Sequence, residues 1–124
     1  MPTWKLAGML LLTACGAGSE RIGPREAAAL TGGDPSHGAA LIRSYGCQTC
    51  HSIPGVTGAD RRVGPPLGGI AQRVYIAGVL ANTPENLVRW IRDPRAVDSL
   101  TAMPALGLDE REARDVAAYL YALP

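Results

Sequence analysis

The sequence predicts an all-α domain, and three observations carry that prediction. Apolar residues recur at helical spacing behind capping residues, no stretch alternates convincingly with period two, and the intervening segments are rich in Gly and Pro. The chain has 124 residues, 47% of them hydrophobic, and a formal net charge of +1, which suits one small domain and not a disordered tract. It contains no Phe, and aromatic residues make up only 5%. A small domain short of large side chains fills a core with difficulty; a bulky prosthetic group would supply the volume, as would Leu, Ile and Val.

Residues 1–14 read as an export signal rather than as fold. Lys5 gives a positive start, Leu6 to Thr13 is a short apolar run, and Ala14 precedes Cys15. Leu12-Thr13-Ala14-Cys15 resembles the bacterial lipobox, which makes Cys15 the expected lipidation site and first mature residue; an ordinary signal peptide with an incidental cysteine is the alternative. A transmembrane anchor is disfavoured, because a span needs roughly 20 apolar residues. After cleavage the chain would hold eleven Arg, no Lys and eleven acidic residues. Such a balance argues against a nucleic-acid partner. Residues 15–33 are small and Gly-rich and read as a lipid-anchored flexible tether, with Arg25 to Leu30 able to form a helical turn. The alternative is an extension packed on the domain.

The folded domain is expected over residues 34–124. Asp34-Pro35 is an N-cap followed by Pro at the first helical position, and Gly38, Leu41, Ile42 and Tyr45 share one face of the helix that follows. That helix ends at Gly46 and delivers Cys47-Gln48-Thr49-Cys50-His51. Residues 52–66 read as an irregular loop, and Leu67 to Arg73 as a short helix. Thr83-Pro84 starts the next helix, with Leu87, Trp90 and Ile91 on one face and Pro94 at its end. A loop is expected from Arg95 to Leu108. Asp109 caps the last helix, with Glu112 three residues on as in a capping box, and Val116, Tyr119, Leu120 and Leu123 form its apolar stripe.

Cys47-x-x-Cys50-His51 is the attachment signature of a c-type haem. The two thiols add to the vinyl groups, and the adjacent imidazole binds iron from the same side. A zinc site would need a second ligand pair, and the mature chain offers only Cys15 and His37. A redox dithiol usually opens a helix after a strand, whereas here the motif follows a helix. A plain disulfide is the remaining alternative. For a sixth iron ligand, Met103 is the only methionine left after cleavage, in the Pro-flanked loop Leu100-Thr101-Ala102-Met103-Pro104; its bland alternative is a core thioether. His37, the other histidine, suits a capping or solvent-exposed role.

These residues together resemble a class I (monohaem) cytochrome c over roughly Asp34 to Leu123. The resemblance implies three main helices plus a short one wrapped around one covalent haem, with Gly38 packed against Tyr119. It makes Pro65, in Gly64-Pro65-Pro66-Leu67, the carbonyl partner of His51. It places Arg73 near a haem propionate and Trp90 beside the haem and Met103. Thr101 and Met103 match the family's Thr-x-Met segment. Arg73 as a solvated charge, Trp90 as plain core and Gly64 to Leu67 as a simple turn remain the alternatives. Two departures stand out: the Lys ring of mitochondrial members is absent, and for their tryptophan before the third helix Tyr75 is only a loose candidate. Tyr75 to Leu87 is similar to the cytochrome c domains fused to subunit II of some haem–copper oxidases.

The expected function is that of a His51/Met103-ligated electron carrier in a respiratory chain. It would be lipid-anchored in the bacterial periplasm and exchange electrons with a haem–copper oxidase or a quinol-oxidising complex. The competing expectations are a small haem enzyme or gas sensor with a labile sixth ligand, and a permanent accessory subunit of an oxidase.

Overall fold

A computed structural model describes Met1 and residues 21–124; the rest of the signal segment 1–14 and Cys15 lie outside the described residues. Among the described residues five α-helices follow one another: α1 (Pro24–Thr31), α2 (Pro35–Ser44), α3 (Pro84–Arg92), α4 (Pro94–Val97) and α5 (Glu110–Tyr121). Single 3-10 turns stand at Cys47–Thr49 and Ile70–Gln72, and the strands β1 (Tyr75–Ile76) and β2 (Leu80–Ala81) pair antiparallel as a minimal hairpin. Among the described residues no helix is long and apolar enough to cross a membrane.

The helix starts obey local chemistry. All but α5 carry Pro in the first turn, where its missing N–H costs nothing. The Asp34 carboxylate accepts from the Ser36 amide at 2.8 Å and the Thr83 hydroxyl from the Asn86 amide at 3.2 Å. Asp93 accepts from Ala96 at 3.1 Å, capping α4. At α5 the capping box closes both ways, with Glu112 N–H to Asp109 at 2.8 Å and Asp109 N–H to Glu112 at 3.0 Å.

Helix α5 is the organising element: α2, α1 and α3 all pack on it. The α2 contact is close because Gly38 has no side chain; a Cβ there would run into the Asp115 carbonyl and lie 2.9 Å from Tyr119 Cβ. The expected Gly38–Tyr119 packing is thus present. The core beneath these helices is built from Leu41 and Ile42 of α2, Leu87, Val88 and Ile91 of α3, and Ala113, Val116, Ala117 and Leu120 of α5. Asp115 is the exception on that face. Its carboxylate is buried, accepts from the Asp34 amide at 2.6 Å, and lies 2.7 Å from His37 Nδ1, so it fastens the start of α2 to α5.

Four expectations need correction. Residues 24–31, read as the end of a flexible tether, form α1, with Ala27 fully buried and Thr31 nearly so. Thr31 donates to the Ala27 carbonyl at 2.8 Å, and Arg114 donates to the Thr31 carbonyl at 2.9 Å. Small residues here permit close packing rather than slack. The helix expected over 67–73 shrinks to the turn at Ile70–Gln72. The loop expected over 95–108 begins with α4, because Pro94 both ends α3 and suits the first turn of a new helix. The hairpin is the small sheet the periodicity did not reveal; strands of two residues are too short to alternate.

Candidate haem site

The helix exit delivers the motif. After α2, Tyr45 and Gly46 turn the chain, and Cys47 to Thr49 follow as one 3-10 turn, with the Thr49, Cys50 and His51 amides donating back to Gly46 and Cys47 carbonyls at 3.0–3.2 Å. Cys47 and Cys50 are unbridged, and burial pushes the free Cys47 thiol up.

His51 is oriented from below. Its Nδ1 lies 2.7 Å from the Pro65 carbonyl oxygen and donates to it, which leaves Nε2 as the ring's free ligand atom. The loop is held in register by the Gly64 amide on the Cys50 carbonyl at 2.8 Å and the Leu67 amide on the Ser52 carbonyl at 2.9 Å. Gly64 passes so close to the imidazole that any Cβ would run into its ring. Arg73 donates to the carbonyls of Pro66 and, at 3.2 Å, Gly68, tying the same loop from its far end.

A cavity of about 640 Å³ opens between α2, α3, α5 and the loops. Cys47, Cys50, His51, Pro65, Arg73, Trp90 and Met103 all line it. Seven candidate residues scattered along the sequence therefore meet at one site, and only Cys15 lies outside the described residues. Helix α2 and its C-cap contribute Ile42 and Tyr45, α3 contributes Leu87 and Ile91, and α5 contributes Val116 and Leu120. Arg73 is the sole Arg among the lining residues and Asp98 the sole carboxylate. Met103 is fixed by its own loop: its amide donates to the Thr101 hydroxyl at 3.2 Å, the Thr101 amide to the Asp98 carbonyl at 3.1 Å, and the Leu100 amide to the Asp98 carboxylate at 3.0 Å. The volume falls within the roughly 300–1,000 Å³ of cofactor pockets. Its apolar walls, paired thiols and pre-oriented imidazole fit a haem.

A family model described as cytochrome c oxidase, cbb3-type, subunit III matches residues 33–120. The chain belongs to the cytochrome c family. Its cofactor is one covalent haem c, attached in this family through the Cys-x-x-Cys-His motif. Cytochrome c oxidase subunit 2 of Alkalihalophilus pseudofirmus is 34% identical over 89 residues, covering 71% of this chain and 25% of that one. The protein of the same name from Bacillus sp. strain PS3 is 38% identical over 58 residues, covering 45% of this chain and 16% of its own. This cytochrome c domain thus spans a quarter or less of the curated relatives it matches. The all-α expectation and the similarity to oxidase-linked cytochrome c domains both hold.

Sequence reasoning assigned no role to Asn82, Tyr121 or Asp115, whose side chains bridge segments far apart in the chain. Only Asp115 left a trace, as an acid within the apolar stripe of α5. Nor did His37 disclose its buried partner.

Proposed function

We propose that the chain is a single-haem electron carrier with His51 and Met103 as axial iron ligands. One observation supports this above the rest: His51 and Met103, on separate and independently pinned loops, face one apolar cavity, and the His51 Nδ1 proton is already engaged by Pro65. The haem supplies a one-electron couple, and thioether ligation favours its ferrous state relative to two imidazoles. The protein's part is to keep both ligands in place in either oxidation state. Pro65 holds the imidazole tautomer, the Asp98–Thr101 turn holds the methionine loop, and Leu87, Ile91, Val116 and Leu120 keep water away from the centre. With haem bound, Trp90 would pack beside it, and Arg73, the cation on the cavity wall, would pair with a haem carboxylate. The haem edge near Cys50 would be the electron port.

The ferric protein is expected to show a methionine–iron charge-transfer band that disappears in Met103→Ala. Rapid carbon monoxide binding to the unmutated ferrous protein would show an open sixth position and overturn the carrier reading in favour of a small haem enzyme or gas sensor.

In this reading Cys15 carries the lipid, the domain sits on the periplasmic side of a bacterial membrane, and its partner is a haem–copper oxidase. The match to oxidase subunits that carry this domain as a quarter of a longer chain supports that partner. It also favours a second reading, a permanent accessory subunit. Purification from membranes in mild detergent separates the two: a free carrier elutes alone, an accessory subunit with stoichiometric oxidase.

A further inference from the structure

Behind the cavity wall lies an Asn whose side chain is almost fully used. The Asn82 amide nitrogen donates to the Ile70 carbonyl and to the Arg73 carbonyl, both at 2.8 Å, and its oxygen accepts from the Tyr121 hydroxyl at 2.7 Å. The donors and acceptors fit one orientation of the amide, since both carbonyls can only accept. Asn82 therefore clamps both ends of the turn that leads into Arg73, and Tyr121, buried on α5, locks the clamp. Neither Asn82 nor Tyr121 lines the cavity, whereas Ile70 and Arg73 do. Arg73 in turn donates to Pro66 and Gly68, next to the carbonyl that holds His51.

We propose that Asn82, locked by Tyr121, is a positioning residue that holds the Arg73 guanidinium at the cavity wall and thereby biases the iron toward its reduced state. The proposal rests on the reading that Arg73 faces the haem. A cation held in place beside a redox centre favours the state with one more electron, and the same cation swinging into water is screened. Burial and the nearby Glu85 push the Tyr121 hydroxyl up to about 12, so it remains a donor throughout the neutral range.

Redox titration of the holoprotein tests this as a double-mutant cycle. Arg73→Gln and Asn82→Ala are each expected to lower the ferrous-to-ferric ratio at fixed ambient potential about three- to tenfold. The Asn82→Ala effect should vanish in the Arg73→Gln background. Tyr121→Phe keeps the ring and removes only the hydroxyl, so it folds where Asn82→Ala fails to, and it should lower the ratio in the same direction. Equal Asn82→Ala shifts in both backgrounds overturn the proposal. So does a shift in Arg73→Gln with none in Asn82→Ala or Tyr121→Phe. No shift in Arg73→Gln itself overturns the Arg73 reading, and the proposal with it.

Discussion

Gly64 and Tyr121 show how single residues set the site. At Gly64 the backbone runs beneath the imidazole of His51, so a methyl group must push the ring off the Pro65 carbonyl or the loop off Cys50. Gly64→Ala is expected to cost about 1–3 kcal/mol by overpacking. Its ferric spectrum should also change, as an imidazole freed from Pro65 binds iron more weakly. Thermal unfolding and the optical spectrum measure the two effects separately. Tyr121 makes a pH prediction. Its hydroxyl is raised in the folded chain to about 12 from the ordinary phenol value of 10.0, so the folded state holds the proton more tightly than the unfolded one. The stability this contributes is fully present below about pH 10 and is lost as pH rises toward 12. Denaturant unfolding across that window should show the fall, and Tyr121→Phe should flatten it.

Among the elements, α5 and α1 make contrasting predictions. Helix α5 closes a two-way capping box in the first turn of the helix on which α1, α2 and α3 all pack. Asp109→Ala removes the acceptor for the Glu112 amide, leaves the residue-109 amide still able to donate to the Glu112 carboxylate, and should cost about 1 kcal/mol. For a domain of this size that lowers the melting temperature by about 4–8 °C, readable by circular dichroism. Helix α1 is held through Ala27, which has no exposed surface, and through the Arg114–Thr31 bond. Ala27→Asp buries an unpaired carboxylate and should detach the helix. Trypsin should then cut faster after Arg25, which is exposed on α1, while the haem spectrum keeps its form because no α1 residue lines the cavity. Unchanged cleavage would mean that α1 stays docked without its buried alanine.

At the scale of the whole molecule the fold is expected to depend on its cofactor. Leu87, Trp90, Ile91, Val116 and Leu120 present apolar surface to a cavity of about 640 Å³. Wetting one such side chain costs roughly 1.5–3 kcal/mol. Five together rival the roughly 5–15 kcal/mol that holds a small domain folded. Cys47→Ser/Cys50→Ser protein freed of haem should therefore lose its near-ultraviolet circular dichroism while keeping helical far-ultraviolet signal. A native near-ultraviolet spectrum in that protein would mean that the helices pack without the haem. The absence of Phe fits the same account: a prosthetic group occupies the volume that large aromatic residues fill elsewhere.

The sequence by itself determined what depends on neighbours along the chain. Caps at Asp34, Thr83 and Asp109, the apolar stripes behind them and the Cys47–His51 motif follow from spacing of a few residues, and α2, α3 and α5 appear where those signals stand. Resemblance extended that to Pro65, Arg73, Trp90 and Met103, which the fold gathers around one cavity. Only the tertiary structure decided how distant segments meet. Small residues in 24–31 look like slack in isolation and become a packed helix because α5 lies against them. Asp115 is an unexplained acid in the stripe of α5 until Asp34 and His37 close over it. Asn82 reads as a loop residue until Tyr121 and the Ile70 and Arg73 carbonyls converge on its amide. A hydrogen bond between residues far apart in the chain leaves no periodicity behind, so these contacts exist only once the helices have packed.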